Sequence, residues 1–274
     1  GFFGLQIAVG HVWALPFYYV PFVLLFLLRG CYELRWSALA GIFWGFMILE
    51  GGVYPAPYTG VLLGGVILAM LLGWTPLAGL PRAVWWKPLV AFGACLAVFL
   101  LVGAAKLLPS LHHMAEHPRV VVEYPRIGLE TVLRGLTWRN IEGGWDRPSH
   151  HDYTFWGEYG SYIGWAGLAL AFGAVVLCLR RARVLLLFLA GSIALAYGAL
   201  GPGTPWDAIH RLPVFINLRV PSRFLVFAAL ILAWLAALAV DEISARLRER
   251  FAGRKLRRLA LALPAVLALG VGAD

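Results

Sequence analysis

Eight apolar runs, set between loops that are alternately basic and charge-balanced, restrict this chain's fold more than any other feature. They are Ile7–Leu28, Trp36–Leu49, Thr59–Trp74, Leu89–Leu108, Ser161–Leu179, Val184–Leu200, Phe224–Val240 and a last one from Leu259. Most approach the ~20 residues a helix needs to cross ~30 Å of hydrocarbon. Lipid offers no hydrogen-bond partners, so each run must satisfy its own peptide groups and becomes a helix. The expected fold is all-α: a polytopic transmembrane helical bundle of about eight crossings, one domain over 1–274. Hydrophobic residues make up 61% of the chain, against ~45–50% in soluble domains, which excludes a soluble globular protein.

A net charge of +9 invites a nucleic-acid reading, but its distribution rejects one. Loops 29–35, 75–88, 180–183 and 241–258 hold 14 of the 23 Lys and Arg residues and only 4 acidic ones. The other loops, with Lys106, hold nine of each. This is the positive-inside asymmetry of membrane proteins. It places Arg29/Arg35, Arg82/Lys87, Arg180–Arg183 and Arg246–Arg258 in the cytoplasm, facing anionic lipid. Loops 50–58, 109–160 and 201–223 then lie outside a bacterial cytoplasmic membrane. Within 241–258, Ile243, Leu247 and Phe251 form one apolar stripe on a basic helix, suited to lying on lipid.

Cys31, Cys95 and Cys178 are widely spaced in or beside apolar runs and read as packing residues. The first run is too long for the apolar core of a signal peptide and lacks a basic start. Beginning at Gly1 and ending in or just after an apolar run, the chain reads as a fragment of a longer membrane protein.

Region 109–160 is too long for a simple turn, and loops of that length carry function or small structures of their own. Pro109, Pro118, Pro125 and Pro148 divide it. The second and third runs are short, so the connection Glu50–Tyr58 either dips below the outer surface beside a cavity or ends a helix at the headgroups. Gly41-xxx-Gly45, Gly60-xxx-Gly64 and Gly160-xxx-Gly164 allow close helix approach. Trp85, Trp86, Trp156, Tyr159 and Trp206 sit near run ends, as interfacial anchors do.

Several polar groups stand out against this apolar background. Arg219 and Arg223 flank Pro221 at the outer mouth of the seventh crossing. Cations at a helix N-terminus oppose its dipole, so they need an anion: a phosphate, which suits the arginine fork, or lipid headgroups and loop carboxylates. Lys106 near the end of the fourth run is either functional or snorkels to the interface. His113 and His117 share a helical face with Glu116 close by, a spacing that can hold a metal, and His150, His151 and Asp152 offer further ligands. A divalent metal is admitted but no cofactor is required. Glu50 is the candidate intramembrane acid, either a general base or a structural partner of Lys106, His11 or an outer arginine. His11 lines the same outer region or satisfies a backbone carbonyl. Phosphate-loop, dinucleotide-binding and nucleophile-elbow motifs are lacking.

Gly10-His11 with Pro21, Leu49-Glu50-Gly51-Gly52, Lys106-Leu-Leu-Pro109, and Leu212-Pro213-Val214-Phe215 leading to Arg219-Val-Pro-Ser-Arg223-Phe224 together resemble the GT-C glycosyltransferase superfamily, especially its YfhO-like branch. The resemblance implies an enzyme that takes a sugar from a polyprenyl-phosphate donor at the outer membrane face. It also implies that the catalytic acid lies in a first outer loop preceding this chain, so none is carried over. What it does carry is an outer cavity in which Arg219 and Arg223 bind the donor phosphate. The alternatives are a transporter or flippase for a lipid-linked or anionic substrate, and a non-catalytic membrane subunit. A transporter predicts ionisable groups at the bilayer midplane, whereas the polar groups here gather outside.

Overall fold

Proline spacing explains the irregular start of the first helix. A proline has no N–H to give an i→i−4 bond, and Pro16 and Pro21 fall close together. The chain accordingly forms a 3-10 helix over Val12–Tyr19 and then α1, Val20–Gly30, with Pro21 in its first turn. Our computed structural model describes residues 7, 10–74, 84–117, 126–138, 160–198, 203–218 and 220–250. The last apolar run from Leu259, Arg219, and the His150–Asp152 group lie outside the described residues.

The described structure is helical, and its one β feature is an isolated bridge between Arg126 and Gly198. Among the described residues, three stretches are long and apolar enough to cross a membrane: Val12–Gly30, Lys87–Glu116 and Pro221–Glu249. The chain is a helical membrane protein. It divides into two compact units, one of residues 3–125 and 199–221, the other of 1–2, 126–198 and 222–274.

In the first unit, α1 is followed by α2 (Arg35–Leu49), α3 (Pro55–Leu71) and α4 (Lys87–Glu116). Gly30 meets Ser37 where α1 turns into α2. The Gly41-xxx-Gly45 spacing is used within the chain. A Cβ on Gly41 would stand 2.4 Å from the Cys95 carbonyl oxygen, and one on Gly45 2.6 Å from Val102 Cγ1. The small residues thus seat α2 directly on the backbone of α4. Trp44 closes this contact by stacking on Phe99 and donating its indole N–H to the Ala56 carbonyl at 2.9 Å. By contrast Gly64 faces open space. Cys31 and Cys95 are buried and unbridged, as packing residues should be.

One expectation changes here. α4 does not stop at Pro109 but runs 30 residues to Glu116. At 1.5 Å per residue this is about 45 Å, so its histidine-bearing end projects beyond ~30 Å of hydrocarbon. One proline removes a single helical hydrogen bond, and the residues that follow it are not helix breakers.

In the second unit, α5 (Leu129–Thr137) lies within the long loop region. Then comes α6, a 33-residue helical stretch over Gly164–Ala196, interrupted at Cys178, whose φ −146° and ψ 44° are non-helical. A straight helix of that length would span about 50 Å. Yet Ile127 N–H donates to the Tyr197 carbonyl and Ile163 N–H to the Leu136 carbonyl. Those two anchors are joined by little more than α5, about 14 Å of helix. Both ends of α6 therefore lie near the same short helix, and α6 folds back at Cys178 into a hairpin. The fifth and sixth apolar runs are its two arms, and the expected loop at 180–183 is helical. Gly160-xxx-Gly164 is not a helical spacing, since α6 begins at Gly164 with φ +76°.

After a short helix α7 (Pro205–His210) in the first unit, the 3-10 turn Pro221–Phe224 leads into α8, Leu225–Arg250. α8 packs against the hairpin, with Gly173 of the first arm on Ala239. Arg246 donates to the Leu177 carbonyl at 3.0 Å, while Arg181 pairs with Glu242 at 3.5 Å. Two basic segments assigned to one side of the membrane thus meet at one end of this unit. Residues 241–250 continue α8 as a single helix and hold the hairpin turn.

Candidate functional site

The turn after α2 builds the most polar spot in the first unit. Gly52 N–H donates to the Met47 carbonyl at 2.7 Å and Gly51 N–H to the Ile48 carbonyl at 3.0 Å. With Gly51 at φ +95°, this pair of bonds is a Schellman termination. A Cβ on Gly52 would stand 2.4 Å from the Met47 oxygen, so the Glu-Gly-Gly sequence has a local reason. The Leu49 carbonyl, which those bonds leave over, accepts from Lys106 Nζ at 3.0 Å. An ammonium there also suits the negative end of the α2 dipole.

Glu50 stands at the rim of this turn with its carboxylate exposed. Tyr19 donates its phenol to Oε1 at 2.6 Å, and Tyr18 donates across both oxygens at 3.0 and 3.1 Å. The two rings contact each other at 4.1 Å between centroids. Glu50 is thus held by two phenols rather than by Lys106, His11 or an arginine. It forms no ion pair among the described residues.

The residues from His11 onward pass over the same turn. His11 contacts Trp13 at 5.5 Å and Trp13 contacts Tyr54 at 5.3 Å between ring centroids. Tyr58, fully buried, extends this aromatic series into the 203–220 segment. It stacks on Phe215, meets Trp206 edge-on and donates to the Val220 carbonyl at 3.0 Å. Trp206 is therefore a buried packing residue. His210 donates from Nε2 to the Leu218 carbonyl at 3.0 Å. Burial pushes its pKa down, opposed by that backbone bond and by Asp207, so the imidazole stays neutral at physiological pH.

Glu50, Lys106 and His11 thus fall in one unit around one turn. Arg219 lies outside the described residues. Arg223 belongs to the other unit, where it is buried in the Pro221–Phe224 turn. His113 and His117 do stack, at 4.6 Å between centroids, but Glu116 pairs with His112 at 3.3 Å. No cluster of three or more metal-ligating side chains forms among the described residues.

Tyr18 and Tyr19 were not singled out in the sequence. The available signal was two phenols inside an apolar, proline-bounded run, where each hydroxyl needs an acceptor. The arrangement can accept a proton at Glu50, offer aromatic faces to a ring-shaped ligand and place one ammonium nearby. Comparison with protein-family models, with curated proteins and with solved structures finds no match.

Proposed function

We propose that this chain is the membrane part of a GT-C-type glycosyltransferase, acting at the outer face of a bacterial cytoplasmic membrane on a polyprenyl-phosphate sugar. The observation that carries the reading is the exposed Glu50 carboxylate, oriented by Tyr18 and Tyr19 beside Lys106. α2 rises about 22 Å from Arg35 to Glu50, short of the ~30 Å needed to reach the far surface. Glu50 then stands in a recess on the side opposite Arg29 and Arg35, where a lipid-borne donor enters sideways. In the reaction, the bond between sugar C1 and phosphate oxygen breaks and the polyprenyl phosphate leaves with the electron pair. C1 bonds to the acceptor oxygen with inversion, and the acceptor proton passes to Glu50, as in general-base catalysis. Lys106 meets the phosphate charge on this side. Arg219 and Arg223 remain the sequence-derived phosphate ligands.

The same exposed charges, Glu50 and Lys106, favour a second reading as a transporter of a lipid-linked or anionic substrate, since ionisable groups below the surface mark transport paths. One experiment separates the two. The full-length protein, reconstituted in lipid, is assayed for sugar transfer from a polyprenyl-phosphate donor. Glu50→Gln should lower turnover about 100-fold or more, and Arg219→Ala with Arg223→Ala should abolish it. Transfer at normal rate in Glu50→Gln removes the base role. Substrate movement across the bilayer without transfer replaces the enzyme by the transporter.

A further inference from the structure

Within the second unit, α5 has a definite place. Arg246 on the Leu177 carbonyl and Arg181 on Glu242 fix the hairpin turn at the charged end of α8. The opposite ends of both arms carry the bonds from Ile127 to Tyr197 and from Ser161 and Ile163 to Gly135 and Leu136. α5 is therefore strapped across the far ends of a hairpin that runs alongside the candidate span Pro221–Glu249. The arm Gly164–Leu177 is about 21 Å long, which separates α5 from the basic turn by most of a bilayer core.

α5 also has two unlike faces. Val132 and Leu136 are buried, and Ile127 is buried just ahead of them. Leu129 and Leu133, one turn apart, are 60% and 49% exposed, with Trp138 at 49% just beyond. The charged residues beside them, Glu130 and Arg134, pair with each other, and Arg134 also covers the Trp138 ring at 4.9 Å. The hairpin below exposes Trp165, Phe172, Val176 and Leu187, so the apolar stripe of α5 continues a lipid-facing surface.

We infer that α5 is an interfacial helix on the leaflet opposite the Arg180–Arg183 turn, with Leu129, Leu133 and Trp138 inserted at the headgroup–acyl boundary. Amphipathic helices lie in that plane with one apolar face buried in it, and tryptophan concentrates there. Glu130 and Arg134 cancel, so insertion rests on apolar area and does not require anionic lipid. This assignment stands independently of the transfer reaction.

The test uses the full chain in lipid nanodiscs, with Cys31, Cys95 and Cys178 replaced by alanine and a nitroxide attached at position 129, 130 or 133. Labels at 129 and 133 should collide more with oxygen, which partitions into lipid, than with a water-soluble nickel chelate. The label at 130 should show the reverse. The pattern should change less than twofold between neutral and anionic nanodiscs. A water-exposed label at 133, a label shielded from both reagents, or insertion only into anionic lipid overturns the inference. In the native-cysteine protein, p-benzoylphenylalanine at 133 provides a second measurement. Photo-adducts to lipid acyl chains are expected, and cross-links to protein alone contradict the assignment.

Discussion

Two glutamates bracket α2, and they are placed by opposite logic. Glu33 precedes the helix, where a carboxylate suits the positive end of its dipole. It accepts from Arg35 at 2.6 and 3.0 Å and from the Trp36 indole, while Arg29 and Arg35 both lie over the Trp36 ring. Arg35 holds the Glu33 carboxyl below its usual range, by hydrogen bonding first and charge second. The carboxylate at that end has an opposite charge directly on it. Glu50 follows the helix, where the dipole disfavours an anion by about 0.3–1 kcal/mol. Its partners are two neutral phenols, and the nearby ammonium is used on the Leu49 carbonyl instead. The Glu33 end is what stability alone would select. At the Glu50 end a carboxylate is kept against the helix dipole, which is what the proposed base role would require.

Substitutions can sharpen or break this contrast. The largest effect is expected at Gly52→Ala, whose Cβ meets the Met47 carbonyl and prevents the turn from closing. A loss of about 2–3 kcal/mol should appear as a lower unfolding temperature in lipid or detergent. At the Glu33 end, by contrast, a Cβ on Gly30 would meet the Ser37 side chain first and its backbone nitrogen only at 3.0 Å. Next comes Tyr19→Phe, which removes the shorter phenol bond to Glu50. About 1 kcal/mol is expected for a bond at a partly exposed site, with Tyr18→Phe costing less. Should Tyr18→Phe cost more, the order of support for the carboxylate is reversed. Lys106→Met strips the Leu49 carbonyl of its partner and should cost about 0.5–1 kcal/mol, read by faster amide exchange in the last turn of α2.

The smallest effect is at Glu33. Its carboxyl is held low in the folded state, so its contribution is present above the ordinary carboxylate range and is lost as pH falls through the depressed value. The group is exposed, so Glu33→Gln should lower the unfolding temperature only slightly near neutral pH, and the difference from the parent should vanish in acid.

Much of the architecture was legible in the sequence because apolar runs and basic loops record the bilayer directly. The Arg180–Arg183 and 241–250 segments were expected to share a side, and the two do meet each other. Leu49-Glu50-Gly51-Gly52 reads as a helix stop because only glycine tolerates that turn. Other features depend on contacts that no local pattern encodes. Gly41 and Gly45 announce a close neighbour, but not that it is α4. Pro109 looked like a break, yet one missing hydrogen bond did not outweigh the helix on either side. α5 lay hidden in a long polar stretch, since nine residues carry too few turns for periodicity to stand out. For the candidate site, the sequence named Glu50, Lys106 and His11, but not the tyrosines, because their partner lies some 30 positions away.

The most direct test of the central claim measures Glu50→Gln and Glu33→Gln side by side, for unfolding temperature and for sugar transfer by the full-length protein. A glutamine keeps acceptors for the phenols while removing the charge that the dipole opposes. The account predicts that Glu50→Gln unfolds at the same or a higher temperature than the parent while transfer falls about 100-fold or more, and that Glu33→Gln unfolds at a slightly lower temperature with transfer unchanged. A Glu50→Gln protein that unfolds earlier but transfers sugar normally would make Glu50 structural and contradict the account.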